Sequence, residues 1–171
     1  KDFFYYINMI QAITETNLAA YLQTEDNRIN TAVTSSQIRH LLKFTNDMKG
    51  GSALGTQYAY AETETIYNRY TKLEFDYNAT PDRFAGTIKF LPSGYWKYEV
   101  YEVSWVGDVT ITDSTAPRDE EQVLPVHPRN GVVQGLVTKG KMYVSDKSGT
   151  EQVQYTQREE PAANNYIYYG Q

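Results

Sequence analysis

The stretch at residues 86–106, GTIKFLPSGYWKYEVYEVSWV, decides the fold. Large apolar side chains occupy alternate positions on both sides of a turn: Ile88, Phe90, Trp96, Tyr98 and Val100. This period of two is typical of β-strands that bury one face. Residues 91–94, Leu-Pro-Ser-Gly, have turn chemistry, because proline presets φ and glycine accepts a positive φ. The stretch therefore predicts two strands joined at a tight corner, with these alternating side chains in the core.

The corner itself points to a class of fold. Trp96 follows Pro92 by four positions, and this spacing resembles the aromatic corner of immunoglobulin-like and fibronectin-like sandwiches, which usually carry Tyr there. Similar alternation recurs in other short runs, and almost no segment has a helical pattern. Further strands are predicted at residues 29–33, 38–44, 57–62, 70–77 and 109–112. The sequence therefore predicts an all-β fold, an immunoglobulin-like antiparallel β-sandwich.

Breaks in this pattern divide the chain into four predicted parts. Residues 1–27 are predicted to be an extended N-terminal arm, with a first sandwich strand as the alternative, and residues 28–112 form the sandwich body. Residues 113–130 contain three prolines and many charges, so they form a connector that cannot be a central strand. Residues 131–171 are predicted to be a C-terminal β-hairpin extension that bends at Gly140, followed by a Tyr-rich tail. The alternative is that this part completes the same sandwich.

Composition excludes several classes of function. The 171 residues include no cysteine, which excludes disulfides and thiolate metal sites. A net charge of −5 argues against nucleic acid as a partner. No apolar run approaches the roughly 20 residues of a membrane-spanning helix, so no membrane association is expected. The 16 tyrosines favour strands and protein–protein interfaces.

No residue pattern carries complete catalytic chemistry. His40 falls in a predicted strand and His127 in the connector, where ordinary structural roles are expected for both. The Gly-rich residues 50–55 lack the Lys-Ser/Thr of a phosphate-binding loop, and no serine lies in a G-x-S-x-G motif. The acidic residues of the connector lack the spacing of an EF-hand. We therefore predict a non-enzymatic protein without catalytic, cofactor or metal sites.

Four stretches of the sequence resemble a group of known proteins. They are GYWKYEVYEVSW (94–105), NGVVQGLVTKGKMYV (130–144), EQVQYTQREEP (151–161) and NNYIYYGQ (164–171). Together they resemble small uncharacterised structural proteins of tailed bacteriophages, especially phages of aquatic hosts. The resemblance extends over residues 40–171 and implies a virion component whose position in the particle is undefined.

Within this class we predict a capsid decoration or cement protein that binds the major capsid protein and neighbouring copies of itself. Strand addition and burial of apolar area would supply the binding energy. The predicted contact residues are aromatic and lie near both termini: Phe3, Phe4, Tyr5, Tyr6, Tyr166, Tyr168 and Tyr169. One alternative is a head–tail connector or tail component. An alternative of another class is a carbohydrate-binding or host-adhesion module that uses the tyrosines as a stacking platform.

Overall fold

A computed structural model describes residues 9–49 and 55–147 of the chain. The described chain is all-β, as predicted, and its strands form two sheets around a common core. The strands are β1 (Ile10–Ile13), β2 (Leu18–Leu22), β3 (Ile38–Asn46), β4 (Thr56–Tyr60), β5 (Thr63–Ile66), β6 (Thr71–Tyr77), β7 (Thr87–Ile88), β8 (Gly94–Ser104) and β9 (Val132–Ser145). Two 3-10 turns lie at Glu25–Asn27 and Ser35–Gln37. This architecture is consistent with a β-sandwich.

The sheets are mixed rather than wholly antiparallel. One sheet has the strand order β1-β9-β8-β3-β4, and the other has the order β2-β6-β5, with β7 paired to β6. The β1–β9 and β6–β7 pairs are parallel, whereas the other pairs are antiparallel. The prediction of an antiparallel sandwich is therefore wrong at these two pairs. Neither pair is joined by a hairpin, so no short turn imposes opposite directions on its strands.

The main core gathers on β8 and on the strand that precedes it. Ile88, Phe90, Trp96, Tyr98 and Val100 are all buried, with exposed fractions of 3% or less. The ring of Phe90 lies edge-on to the ring of Phe44 at 4.8 Å and to that of Trp96 at 5.4 Å. A further ring, Phe75 of the second sheet, lies 6.0 Å from Phe44. These edge-to-face aromatic contacts join the two sheets.

The corner before β8 is tied to this core by a hydrogen bond. Trp96 Nε1 donates to the carbonyl oxygen of Pro92 at 3.0 Å, across the four residues noted in the sequence. The Leu91–Pro92 peptide bond is cis. Because the Trp96 side chain is fully buried, this bond satisfies a donor that water cannot reach.

The described part of the predicted arm belongs to the sheets. Strand β1 pairs with β9 and strand β2 pairs with β6, so residues 10–22 contribute one strand to each sheet. Both strands alternate buried and exposed residues. The alternation is hard to see in the sequence because Ile13 and Tyr21, although apolar, lie on the exposed side. For these residues the extended arm is wrong, and the strand alternative describes the structure.

The predicted C-terminal hairpin is a single long strand. β9 runs as one strand from Val132 to Ser145 and pairs with β8 along its length, with register shifts between Val100 and Tyr101 and between Glu102 and Val103. Gly140 lies opposite Tyr98, and a Cβ at Gly140 would approach Tyr98 Oη to 2.5 Å. The glycine thus makes room for a buried tyrosine ring instead of forming a turn. Because β9 lies between β8 and β1, it completes the same sandwich.

The connector also differs from a simple linker. Trp105 and Ala116 are buried against Leu41, Tyr60 and Val103, and these residues form a second core on the outer face of the five-stranded sheet. The Tyr60 hydroxyl donates to the carbonyl oxygen of Pro117 at 2.6 Å.

The connector is fastened near its start. Ala116 and Pro117 are buried, whereas Val123 and Val126 are almost fully exposed.

Some predicted strands are absent and one was missed. Residues 29–33 and 109–112 form no strand, whereas β5, which the pattern did not predict, does. Strand β5 has few large apolar residues because most of its side chains are at least partly exposed.

The corner hydrogen bond can be tested with two matched tryptophans. Trp96 and Trp105 are both fully buried, but Trp105 Nε1 is the buried side-chain polar atom that has no hydrogen-bond partner in the described chain. Trp96→Phe leaves the Pro92 carbonyl unpaired, whereas Trp105→Phe removes an unpaired donor. We expect Trp96→Phe to lower the free energy of unfolding by about 1–3 kcal/mol more than Trp105→Phe does. Urea denaturation measures both, and equal losses would contradict the anchoring role of the corner.

Candidate functional site

The outer face of the five-stranded sheet is covered at one end and open at the other. The connector covers the end that carries the second core. At the other end lies an open depression of about 1170 Å³. Its outward-facing lining, called the open face below, consists of Met9, Lys43, Thr45, Tyr95, Lys97, Glu99, Lys139 and Lys141. This depression is the candidate site.

The alternation that builds the core also builds the open face. Because Trp96 and Tyr98 point inward from β8, their neighbours Tyr95, Lys97 and Glu99 point outward. Residues on β9 are opposite them in the sheet: Lys97 pairs with Lys141, and Glu99 pairs with Lys139. On β8, the open face therefore consists of the outward-facing residues of the same stretch whose inward-facing residues predict the fold.

Two lysines face each other directly on this surface. Lys97 and Lys141 occupy opposite positions on antiparallel strands, and both are exposed. Lys141 Nζ lies 2.9 Å from Asp47 Oδ2. In the part of the chain that the structure describes, Lys97 and Lys139 have no ion pair. Like charges directly opposite in a sheet are destabilising. Asp47 offsets this contact at Lys141, and with four lysines and one glutamate in its lining the open face keeps a net positive charge.

Aromatic side chains lie beside these lysines. Tyr95 is 57% exposed and lies edge-on to Tyr143 with 5.0 Å between ring centroids. Tyrosine contributes a large apolar surface together with a hydroxyl group that can form hydrogen bonds. The open face thus combines ammonium groups with aromatic contact area, which is suited to binding a surface by contact.

A hydrogen-bonded cluster marks the boundary with the connector. Glu120 accepts a hydrogen bond from Lys43 Nζ at 2.7 Å and another from the Tyr58 hydroxyl at 2.6 Å. Burial opposes ionisation of Glu120, but these two hydrogen bonds, a backbone hydrogen bond and the charge of Lys43 together outweigh it and lower the pKa of the carboxyl group. Burial and the bond to Glu120 raise the pKa of Tyr58 to about 12. The cluster therefore fastens the connector to β3 and β4.

The histidines have structural partners. His40 and Glu64 join the two sheets, with Nδ1 of the histidine 3.0 Å from a carboxylate oxygen, and both side chains are buried. His127 Nδ1 accepts a hydrogen bond from the backbone N–H of Arg129 within the connector. Across residues 9–49 and 55–147, no group of three or more His, Asp or Glu residues could hold a metal ion. Within the same ranges, no helix has the length and apolar character needed to cross a membrane.

The predicted contact residues and the candidate site are different parts of the chain. Phe3, Phe4, Tyr5, Tyr6, Tyr166, Tyr168 and Tyr169 lie outside the described residues. Tyr95, Lys97 and Lys141 were not predicted as site residues. The alternation in residues 94–104 indicated which side chains face outward, but nothing in the sequence indicated that they lie beside the lysines of β9.

Comparisons with family models, curated proteins and solved structures found no match to this chain. The resemblance to phage structural proteins therefore rests on the four sequence stretches alone.

The Glu120 cluster predicts a pH-dependent contribution to stability. A carboxyl group whose pKa is lower in the folded state stabilises the protein above its unfolded value, about 4.3, and this stabilisation disappears as pH falls through the folded value. We expect Glu120→Gln to reduce the free energy of unfolding by about 1 kcal/mol at pH 7 and by much less at pH 3.

Glu121→Gln is the matched control, because Glu121 is exposed and its side chain has no partner among the described residues. Urea unfolding at both pH values gives the comparison. If Glu120→Gln lost the same free energy of unfolding at pH 3 and pH 7, or if Glu121→Gln lost as much, Glu120 would not fasten the connector through its ionised carboxylate.

Proposed function

We propose that this protein is a non-enzymatic structural component of a tailed-phage virion. Within that class we propose a capsid decoration or cement protein, with an immunoglobulin-like sandwich as its body. Its partners would be the major capsid protein and neighbouring copies of itself. The observation that supports the proposal is the open face, where four lysines and Tyr95 lie together at one end of the sheet. The sequence resemblance supports the virion assignment.

The open face favours contact with an acidic protein surface. Lys97 and Lys139 have no ion pair among the described residues, and Lys97 lies opposite Lys141. Asp47 already pairs with Lys141, and a carboxylate from a partner would pair with Lys97 in the same way. Charge complementarity of this kind chooses the partner and its orientation more than it adds affinity. Tyr95 and Tyr143 would supply aromatic contact area in the same interface.

The connector covers one end of the outer face and leaves the other end open. Glu120 and Tyr60 hold it on the covered end of the same sheet, so the two halves of the outer face have separate roles. One half is closed by the protein's own chain, while the other remains open for a partner. Binding would proceed by burial of surface and formation of ion pairs, with no bond chemistry.

Copy number tests the assignment to the capsid. Quantitative mass spectrometry of purified virions gives the ratio of this protein to the major capsid protein. We expect a ratio near one or a simple lattice fraction of one, because a decoration protein follows the symmetry of the shell. A few copies per particle would indicate a connector or tail component instead, and complete absence would remove the virion assignment.

Charge reversal tests the open face. Lys97→Glu replaces a repulsion with Lys141 by an attraction, so it should not destabilise the folded protein. It should nevertheless reduce incorporation into particles about fivefold, because a reversed contact with an acidic partner loses on the order of 1 kcal/mol. Arg129→Glu makes the same change of charge on the exposed connector and should incorporate normally. Equal incorporation of both variants would refute the open face as the contact surface.

A further inference from the structure

A second exposed aromatic cluster lies on the other sheet. Tyr21, Tyr67 and Tyr70 are 40–51% exposed and contact one another. The ring of Tyr70 lies edge-on to that of Tyr21 at 5.4 Å and tilted by 37° to that of Tyr67 at 4.9 Å. Single exposed aromatics are common on protein surfaces, but a contacting group of three points to a binding role.

The cluster is held by the ordered backbone around it. Tyr67 and Tyr70 are the ends of the turn between β5 and β6, and the N–H of Tyr67 donates to the carbonyl oxygen of Tyr70 at 2.8 Å. Tyr21 points outward from β2, where it pairs with Lys72 of β6. A buried hydrogen bond between the hydroxyls of Thr24 and Thr71 ties the two neighbouring segments together. The three rings are therefore positioned before any ligand arrives.

Polar side chains surround the rings. Asp26, Asn68 and Arg69 line a shallow cleft next to Tyr67 and Tyr70, and all three are exposed. Among residues 9–49 and 55–147, none of these three side chains has a hydrogen bond or an ion pair. The cleft thus offers a carboxylate acceptor, an amide that can donate or accept, and a guanidinium donor.

We propose that this surface binds a neutral oligosaccharide. The C–H groups on the face of a sugar ring carry partial positive charge and pack against the negative face of an aromatic ring. The hydroxyl groups around the sugar ring need donors and acceptors, and Asp26, Asn68 and Arg69 supply both. The cleft carries charges of both signs, from Glu25, Asp26 and Arg69, so it favours a neutral ligand over an anionic polymer.

The small volume of the cleft also argues against a ligand that a pocket would enclose. The cleft holds only about 20 Å³, whereas pockets that enclose a small molecule measure about 300–1,000 Å³, so the ligand must lie along the surface. The rings of Tyr21, Tyr67 and Tyr70 extend this surface beside the cleft. An oligosaccharide lying across the tilted rings fits this small surface. The proposal is independent of where the protein sits in a particle.

Titration of the full chain with neutral oligosaccharides tests the site. The probes are cellohexaose, chitohexaose, xylohexaose and mannohexaose, and binding is followed by calorimetry and by chemical shifts of the tyrosine rings. We expect saturable binding of at least one probe. Tyr67→Ala should weaken it by about tenfold or more, whereas Tyr67→Phe, which keeps the ring, should retain most of the affinity.

The control is Met48→Ala, which removes an exposed apolar side chain from the segment after β3 in the opposite sheet and should leave binding unchanged. Circular dichroism checks that each variant is folded. Absence of saturable binding for all four probes would overturn the proposal. It would also be overturned if Tyr67→Ala bound as tightly as the unchanged protein, or if Met48→Ala lost as much affinity as Tyr67→Ala.

Discussion

The structure depends on the pairing of β8 with a long strand on each side. β3 and β9 both pair with β8 in antiparallel fashion, and most of the five-stranded sheet is built from these three strands. The hydrogen bond from Trp96 to Pro92 sets where β8 begins, so it also sets the register in which side chains point inward. A shift of one residue would exchange the buried and exposed sides along the whole strand. Anchoring the corner therefore defines both the core and the surface.

That register gives the outer face of the sheet two roles. At one end, Leu41 and Val103 point outward into a second core that the connector closes. At the other end, the outward-facing residues of the same strands include Tyr95 and Lys97 of the open face. Glu120 lies at the boundary, where its bonds to Lys43 and Tyr58 hold the connector. The extent of the connector thus decides how much of the outer face remains uncovered.

Much of the fold could be predicted because residues 86–106 have a strong period of two. The buried alternation and the Trp96 corner were readable from these residues alone. Strands β1 and β2 were harder, since Ile13 and Tyr21 are apolar residues on the solvent side. The candidate site was not predicted at all. Its lysines are far apart in the sequence, and only the pairing of β8 with β9 places Lys97 beside Lys141.

The sequence by itself determined the all-β class, the inward set of β8 and the corner before it, because these depend on short-range alternation and turn chemistry. Tertiary structure alone decided the parallel pairing of β1 with β9, the unbroken course of β9 past Gly140, and the packing of the connector on the sheet. The same holds for the three contacting tyrosines, two from one turn and one from a distant strand. These features depend on contacts between residues that are remote in the chain, and local residue patterns do not record which remote segments will meet.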